Sequence, residues 1–322
     1  MMDASTKIYV AGHGGLAGSA IVRELSVQGY ERIATRAHAE LDLEDAIATR
    51  RFLEEEQPEV VFLAAGRVGG ISANNSYPVD FLLRNVRIVS NVIESSYVVG
   101  VRRLIFLGSS CIYPRECPQP IKEEYLLTGP LEATNRPYAL AKIAGVELCW
   151  AYNRQYATRY LAAMPTNLYG RGDNYDLNNS HVLPALIRKI HEAKQAGSAQ
   201  VVLWGSGTPL REFLHADDLA RGLVFLAALD DAPYAALTDP TKCPLINVGT
   251  GTEITIRALA DLVAEVIGFQ GEFVHDRSKP DGTPRKVMDI SRLQALGWRP
   301  LTAMREGIAM AYADFLRGDV RR

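Results

Sequence analysis

A glycine-rich turn near the N-terminus is the feature that most constrains the fold. The apolar residues 7–11 lead directly into Gly12, Gly15 and Gly18, which are spaced as G-x-x-G-x-x-G. In such a turn the first glycine permits a tight bend after a strand, the second lets a pyrophosphate approach the backbone, and the third lets a helix pack on the strand. The helix N-terminus then offers free N–H groups to phosphates. The alternative is a glycine turn that binds no ligand. The predicted dinucleotide-binding loop consists of Gly12, His13, Gly14, Gly15, Leu16, Ala17 and Gly18.

The first half of the chain alternates between strand-like and helix-like segments. Continuous apolar runs occupy residues 59–65, 104–107 and 160–164, and helical spacing occurs at 21–28, 80–96 and 138–156. Strands that are apolar on both faces and alternate with helices indicate a parallel sheet covered on both sides. We therefore predict an α/β fold: a Rossmann-type doubly wound parallel sheet with a smaller α/β substrate-binding domain.

A change in composition places the boundary between the two units. Asn, Gly, Asp and Pro cluster from about residue 167 through residue 177. We assign residues 1–166 to the dinucleotide-binding domain, together with a returning segment at about 212–240. Residues 167–211 and 241–322 form the predicted substrate-binding domain.

Composition excludes several classes of protein. The 35 Lys and Arg residues nearly balance the 37 Asp and Glu residues, which predicts no nucleic-acid partner and no anionic membrane surface. No apolar run reaches the roughly 20 residues of a membrane span. The N-terminus lacks a signal-peptide pattern, so we expect a cytoplasmic protein with reduced cysteines. The four cysteines show no metal spacing, and we expect no metal. A disulfide between Cys111 and Cys117 is the disfavoured alternative.

The cofactor's adenosine half is expected near the second and third strands. Arg36 follows the predicted second strand and His38 lies two residues later, a cationic pair that favours the 2′-phosphate of NADP over the free hydroxyl of NAD. Arg36 as a simple surface charge is the alternative. Asp42 is a candidate acceptor for the adenine amino group. The small residues after the third strand, expected to line the adenosine, are Ala64, Ala65 and Gly66.

Three residues form a candidate proton-transfer group. Tyr138 and Lys142 are four residues apart, which places both side chains on one face of a helix. A tyrosine with a pKa of about 10 needs a neighbouring ammonium to act near neutral pH. Ser109 follows the strand at 104–107, at the sheet edge where ligands of α/β proteins bind. Together with the glycine loop, this group predicts reduction or oxidation of a carbonyl or hydroxyl group.

The chain resembles the extended short-chain dehydrogenases/reductases and, among them, the GDP-L-fucose synthase family. The motifs that carry the resemblance span nearly the whole chain. They are Val-Gly-Gly-Ile at 68–71, Leu-Gly-Ser-Ser-Cys-Ile-Tyr-Pro at 107–114, Tyr-Ala-Leu-Ala-Lys at 138–142, Met-Pro-Thr-Asn-Leu-Tyr-Gly at 164–170, Asn-Ser-His-Val at 179–182, Trp-Gly-Ser-Gly at 204–207 and Lys-Pro-Asp-Gly-Thr-Pro-Arg-Lys at 279–286.

The resemblance implies epimerisation of GDP-4-keto-6-deoxy-D-mannose at C3 and C5, followed by NADPH-dependent reduction at C4. Cys111 would be the base and His181 the acid of the epimerisation, while Tyr138, Lys142 and Ser109 would serve the reduction. Further implied cofactor contacts are Leu107, Gly108, Ser109, Ser110, Tyr138, Lys142, Pro165, Thr166, Asn167, Leu168 and His181. Implied contacts with the GDP-sugar are Lys189, Trp204, Arg211 and Asp281.

Two positions depart from the family pattern, and rival functions remain. Lys189 replaces an arginine of relatives and loses its bidentate fork, and Gly14 stands where bacterial relatives often carry an arginine near the 2′-phosphate. The alternatives are another nucleotide-sugar epimerase or dehydratase and a non-catalytic dinucleotide sensor. Family expectation also pairs helices 80–96 and 138–156 across a two-fold axis in a homodimer.

Overall fold

The computed structural model describes residues 2–177, 180–278 and 281–318. Asn179, Lys279 and Pro280, which belong to motifs used above, lie outside the described residues, as does the end of the predicted substrate-binding domain at 319–322.

The strands are short and most of them are apolar. They are β1 (Ile8–Ala11), β2 (Ile33–Ala34), β3 (Val60–Leu63), β4 (Arg103–Leu107), β5 (Tyr160–Pro165), β6 (Asn167–Tyr169), β7 (Gln200–Trp204), β8 (Leu210–Arg211), β9 (Phe213–His215), β10 (Leu245–Val248), β11 (Ile254–Thr255), β12 (Glu272–Asp276) and β13 (Arg285–Lys286).

The helices cover both faces of the main sheet and support the smaller unit. They are α1 (Leu16–Val27), α2 (Ala46–Glu56), α3 (Ile71–Ser76), α4 (Pro78–Val98), α5 (Arg136–Tyr156), α6 (Val182–Gln195), α7 (Ala216–Ala228), α8 (Asp231–Leu237), α9 (Ile256–Ile267), α10 (Ser291–Ala295) and α11 (Met304–Arg317).

Six parallel strands form the main sheet in the order β10-β5-β4-β3-β1-β2. Alternate residues of β3 enter different cores: Val61 and Leu63 pack on one face with α2, α4 and α5, and Val60 and Phe62 pack on the other with α1 and α7. This two-sided burial is the reason the strand is apolar throughout. The predicted Rossmann-type sheet is confirmed. Because β2 and β3 lie on opposite sides of β1, the glycine loop after β1 opens at the crevice where ligands of such sheets bind.

The predicted long helices are present with slightly different ends. The helix predicted at 80–96 is α4, which begins at Pro78, and the one predicted at 138–156 is α5, with Pro137 in its first turn. Proline is favoured in a first helical turn because the N–H it lacks has no partner there. The helix predicted at 21–28 starts earlier, at Leu16, because Gly15 serves as its N-cap.

A smaller unit lies beside the main sheet around a third core. Helices α6, α9 and α11 supply most of that core, together with β7. Its strands form small sheets, β11-β8-β13 and β12-β7. One segment crosses the expected boundary: β10 belongs to the stretch assigned to the substrate-binding unit, yet it pairs with β5 and ends the main sheet. Its burial on both faces accounts for that position, since β10 is entirely apolar except for the hydrogen-bonded Asn247.

Membrane-spanning helices and metal-binding clusters are both absent from the described residues. No helix among them is long and apolar enough to cross a bilayer. No group of His, Cys, Asp and Glu side chains in the same part of the chain is arranged to hold a metal ion.

Candidate active site

Two glycines of the loop, Gly12 and Gly18, have no room for a side chain. Gly12 has φ +84°, and a Cβ there would lie 2.7 Å from the Cα of Ala65. A side chain at Gly18 would collide with the carbonyl oxygen of Gly12. These contacts press β1, the start of α1 and the segment after β3 together, so the backbone forms a bare surface at the crevice.

The N-terminus of α1 is left open by its own cap. Gly15 is the N-cap and supplies no side-chain oxygen to the first turn. Gly15 donates its N–H to the carbonyl of Gly12 at 2.8 Å, which closes the turn. The buried Nδ1 of His13 has no hydrogen-bond partner in the structure. A helix start without a cap, beside an unsatisfied ring nitrogen, fits an anionic group such as a pyrophosphate.

The two cationic residues predicted at the ribose lie after β2, and both have acidic neighbours. The guanidinium of Arg36 lies 5.0 Å from the ring of Phe52 and 3.8 Å from the carboxylate of Glu56. His38 lies 3.8 Å from Asp42, and both side chains are largely exposed. Asp42 also accepts the N–H of Glu44 at 2.9 Å, so its carboxylate already caps a turn.

The segment after β3 is fixed by a residue that sequence reasoning missed. Buried Asn85 of α4 accepts the N–H of Arg67 at 2.9 Å and donates to its carbonyl at 3.0 Å. A Cβ at Gly66 would lie 2.7 Å from the Asn85 side-chain oxygen. Ala64 donates to the carbonyl of Ala11 at 3.0 Å. A buried asparagine within an otherwise apolar helix face was the available signal.

Tyr138 and Lys142 share one face of α5 at the end of β4. The ammonium of Lys142 donates to the carbonyl of Leu107 at 2.7 Å and lies 5.7 Å from the ring centre of Tyr138. Burial lowers the pKa of Lys142 to about 8, opposed by the nearby Cys111. Burial raises the pKa of Tyr138, with Cys111 adding to the rise and the hydroxyl of Ser109 opposing it. The phenol is therefore protonated at neutral pH.

Ser109 and Cys111 lie in the turn that follows β4. Ser109 is extended at φ −161° and caps a short 3-10 turn at Ser110–Ile112, where its hydroxyl accepts the N–H of Cys111 at 3.4 Å. Cys111 is buried, and its burial raises the pKa of its thiol, whereas Lys286, Ser109 and Lys142 lower it. Gly108 has Met164 against it, where a side chain would not fit. All four cysteines are free.

Lys286, like Asn85, is a residue of the site whose role the sequence did not predict. It lies on β13, opposite Arg211 of β8, and it lines one cavity with Cys111. Burial lowers the pKa of Lys286, while Cys111 raises it and Arg211 lowers it. Two cations side by side on adjacent strands form a site for an anionic group. Lys286 belongs to a motif that the sequence analysis recognised, but its proximity to Cys111 depends on strand pairing.

His181 is the N-cap residue of α6 and is exposed. The surrounding protein partly desolvates the ring and lowers the pKa of the imidazole. Among the described residues, no hydrogen bond joins His181 to Ser109, Cys111 or Tyr138. Its placement on the far side of a substrate ring therefore stays a prediction.

The four predicted substrate residues gather around one turn. The ammonium of Lys189 lies 4.9 Å from the ring of Trp204, the last residue of β7. Asp281 accepts the N–H of Ser206 at 2.6 Å, two residues further along. Burial lowers the pKa of Arg211, opposed by Asp281. Asp281 thus supports the turn that carries Trp204, which is a structural use of its carboxylate.

The segment after β5 joins the two units. Pro165 ends β5, and the Thr166 hydroxyl and Asn167 amide donate to the carbonyl of Glu212 at 3.1 and 2.8 Å. Leu168 packs against the core beneath α1 and α7. The predicted cofactor segment is therefore in direct contact with Glu212, the residue that follows the predicted substrate strand β8.

Comparison with known proteins gives one consistent result. The signature of the NAD dependent epimerase/dehydratase family matches residues 8–235. GDP-L-fucose synthase 1 of Arabidopsis thaliana is 53% identical over 322 residues, which is 100% of this chain and 97% of that protein. GDP-L-fucose synthase of Escherichia coli K12 is 49% identical over 315 residues, 98% of each chain. A solved GDP-L-fucose synthetase from Naegleria fowleri bound to NADP has a TM-score of 0.87 and 29% identity, covering 99% of this chain and 95% of that one.

Proposed function

Because the chain belongs to the NAD-dependent epimerase/dehydratase family and, within it, to the GDP-L-fucose synthases, we propose that it converts GDP-4-keto-6-deoxy-D-mannose to GDP-L-fucose. The observation that carries the proposal is the convergence of Tyr138, Lys142, Ser109 and Cys111 at the carboxyl end of β4. This group combines the parts of a ketone reductase with a thiol placed to act on the same ring.

The residues of the crevice fit NADP(H). Three features suit a pyrophosphate: glycines at which no side chain fits, the start of α1 without a side-chain cap, and the His13 nitrogen without a hydrogen-bond partner. Arg36 and His38 would face the 2′-phosphate. The carboxylates of Glu56 and Asp42 lie 3.8 Å from these two side chains and weaken their attraction for the phosphate. When bound, NADPH supplies the hydride that reduces C4. Ala65 and Gly66 leave the adenosine side of the crevice free of bulky side chains.

Tyr138 donates the proton that completes the reduction. Its raised pKa keeps the phenol protonated until the C4 oxygen takes up charge. The Lys142 ammonium, held by Leu107, stabilises the phenolate that remains. Ser109 donates a hydrogen bond to the reacting oxygen and positions the carbonyl.

The epimerisation uses Cys111 as base and His181 as acid. The C4 ketone acidifies the protons on C3 and C5, so removal of either proton gives an enolate that is reprotonated from the opposite face. Burial raises the pKa of the Cys111 thiol, and Lys286 and Lys142 oppose that rise by favouring the thiolate. The lowered pKa of His181 leaves the free imidazole mostly neutral at pH 7. The anionic substrate therefore has to favour the imidazolium form for His181 to act as the acid.

The GDP part binds across the smaller unit. Trp204 and Lys189 form an exposed aromatic and cationic surface for the base, and Arg211 lies beside Lys286 where a pyrophosphate would be neutralised. Asp281 holds the turn between them.

The test is turnover of GDP-4-keto-6-deoxy-D-mannose with NADPH, followed by NADPH absorbance and by the stereochemistry of the product. Cys111→Ser should bind NADPH with unchanged affinity and lose the epimerised product. Cys117→Ser, at the half-buried cysteine in the same loop, is the control and should retain turnover. Turnover by Cys111→Ser equal to that of the parent would show that another group is the base.

We further infer a homodimer through α4 and α5. Their outer faces expose large apolar side chains: Val79, Leu83, Val98 and Leu140. The two helices also pack on each other, so a two-fold axis would bring four helices together. Leu83→Glu should give a monomer by sedimentation, and Val27→Glu, at an exposed valine on α1, should not. A dimer that survives Leu83→Glu unchanged would exclude this face.

A further inference from the structure

Glu212 is a buried acid at the junction of the two units. It is 0% exposed and lies between Arg211 of β8 and Phe213 of β9. Its backbone carbonyl accepts the hydrogen bonds from Thr166 and Asn167 described above. No lysine, arginine or histidine pairs with its carboxylate within the described ranges, so the burial of this charge is offset by other donors.

The shortest bonds come from backbone N–H groups of two separate segments, and the Thr250 hydroxyl adds a longer one to Oε1 at 3.4 Å. Oε1 accepts from Thr250 at 2.5 Å and from Gly251 at 2.8 Å, both after β10, and Oε2 accepts from Met288 at 2.7 Å. A side chain at Gly249 would collide with the carboxylate. Charge-assisted bonds to backbone N–H groups are directional and short, so each oxygen fixes one segment.

The segment fixed by Oε2 is the one that carries Lys286. On its other side the loop that follows Cys111 pairs with it: Ile121 donates to the carbonyl of Val287 at 2.8 Å, and Asp289 donates to the carbonyl of Ile121 at 2.8 Å. Val287 also donates to the Gln119 side chain at 2.9 Å. Residues 286–289 are thus held between Glu212 and the Cys111 loop.

This arrangement determines what faces the Cys111 thiol. Lys286 lines the same cavity as Cys111. Lys142 and Tyr138 face the thiol from α5, and Ser109 from its own turn. The remaining charged residues of the cavity are Arg115, Glu132 and Arg285. Of the two lysines, Lys142 is fixed locally by Leu107, whereas Lys286 depends on the position of its segment.

We propose that Glu212 is a positioning residue: its carboxylate sets the register of residues 286–289 and thereby holds the ammonium of Lys286 against Cys111. This inference rests on the proposed function, in which Cys111 is the base of the epimerisation. Glu212 contacts neither substrate nor cofactor in this role. Its loss weakens proton removal at C3 and C5 more than hydride transfer at C4.

The direct test is the pH dependence of alkylation of Cys111 by iodoacetamide, followed by mass spectrometry of the tryptic peptide 104–115, which contains no other cysteine. Glu212→Gln keeps the shape of the side chain but replaces one carboxylate oxygen by an amide NH2 group. That group is a donor and would face a backbone N–H group, which is also a donor. We expect the alkylation midpoint to rise by about one pH unit, since that is the size of shift that a nearby opposite charge produces. Glu212→Asp, which keeps the charge but cannot reach both segments, should shift it in the same direction if Glu212→Gln does not fold.

A double-mutant cycle separates positioning from general destabilisation. Lys286→Met should raise the midpoint by itself, and adding Glu212→Gln should then change it no further. The control is Asp218→Asn: Asp218 is 1% exposed and accepts backbone N–H groups from Leu301 and Thr302. It should lower the unfolding temperature and leave the Cys111 midpoint unchanged.

The inference is overturned by an unchanged midpoint in the Glu212 variants, or by a shift that persists undiminished beside Lys286→Met. The alkylation needs no substrate, so it is independent of turnover. If the midpoint shifts as expected but the parent converts no GDP-4-keto-6-deoxy-D-mannose, the proposed function fails and the positioning role stands. With substrate, at a pH well below the midpoint, solvent deuterium incorporation at C3 and C5 should fall about tenfold, in proportion to the lost thiolate. NADPH affinity should not change.

Discussion

The ammonium of Lys142 is bound to the backbone carbonyl oxygen of Leu107 at 2.7 Å, one turn of α5 away from Tyr138. This bond fixes the ammonium at the sheet edge, where it can stabilise the phenolate. It also keeps a charged group inside the protein, because Lys142 is only 4% exposed. The position therefore serves catalysis at a cost in stability.

Replacement of Lys142 by methionine should stabilise the fold and abolish reduction. A pKa lowered to about 8 from the ordinary 10.5 corresponds to about 3 kcal/mol against the folded state at neutral pH. The loss of the hydrogen bond to Leu107 destabilises the variant by about 1 kcal/mol and offsets part of this gain. We expect Lys142→Met to raise the free energy of unfolding by about 2 kcal/mol at pH 7, measured by urea denaturation.

The size of that effect depends on pH. The folded lysine binds its proton more weakly than the unfolded one, so the penalty is complete below pH 8 and disappears as the pH rises towards 10.5. The gain from Lys142→Met should shrink over the same range. Lys194→Met is the matched control: Lys194 donates to the Ile267 carbonyl at 2.6 Å but is exposed, so its loss should not stabilise the protein.

The reduction itself should weaken in alkaline solution. Below pH 8 Lys142 is charged and stabilises the phenolate, and above that value the ammonium is lost. We expect kcat/KM for NADPH-dependent reduction to fall as the pH rises through about 8. Lys142→Arg, which stays protonated, should retain some activity and lose this alkaline decline. An unchanged decline in that variant would assign it to another group.

An arginine at position 14 should strengthen the preference for NADPH over NADH. A Cβ at Gly14 would meet nothing within 4 Å, so a long side chain can be accommodated. Arg36 already shares its charge with Glu56. An added guanidinium near the 2′-phosphate is worth about 1 to 2 kcal/mol, or roughly tenfold in the ratio of the dissociation constants measured by fluorescence titration. Gly14→Ala should leave the ratio unchanged, and an equal gain for NADH would show that the arginine contacts another phosphate.

The residues that could be predicted from the sequence are those whose geometry is local. Gly12, Gly15 and Gly18 belong to one turn, and Tyr138 and Lys142 to one helix, so spacing alone fixes their relationship. The apolar strands β3 and β4 were recognisable because both of their faces are buried. Boundaries were less certain, since the start of α1 depends on the cap at Gly15.

The residues that escaped prediction depend on segments that are distant in sequence. Lys286 lines one cavity with Cys111 because its segment pairs both with β8 and with the loop that follows Cys111. Glu212 contacts Met288 across 76 positions. In the sequence β10 is only another short apolar run, and its place in the main sheet follows from its pairing with β5. Glu212, whose carboxylate has several backbone partners, resembles an ordinary surface residue in the sequence and differs from one only in burial.

Trp204 offers a test of nucleotide binding that leaves the chemistry intact. Trp204 is 57% exposed, although Lys189 lies against its ring, and such a side chain is suited to stacking with a base. Stacking of a base on an aromatic side chain is worth about 1 to 3 kcal/mol, so Trp204→Ala should raise KM for the GDP-sugar about 5- to 150-fold. Because the base is far from the reacting carbons, kcat should stay within about twofold, and NADPH binding should not change. Val202→Ala is the matched control, since Val202 is 49% exposed on the same face of β7. A fall in kcat with unchanged KM would place the indole at the sugar instead of the base.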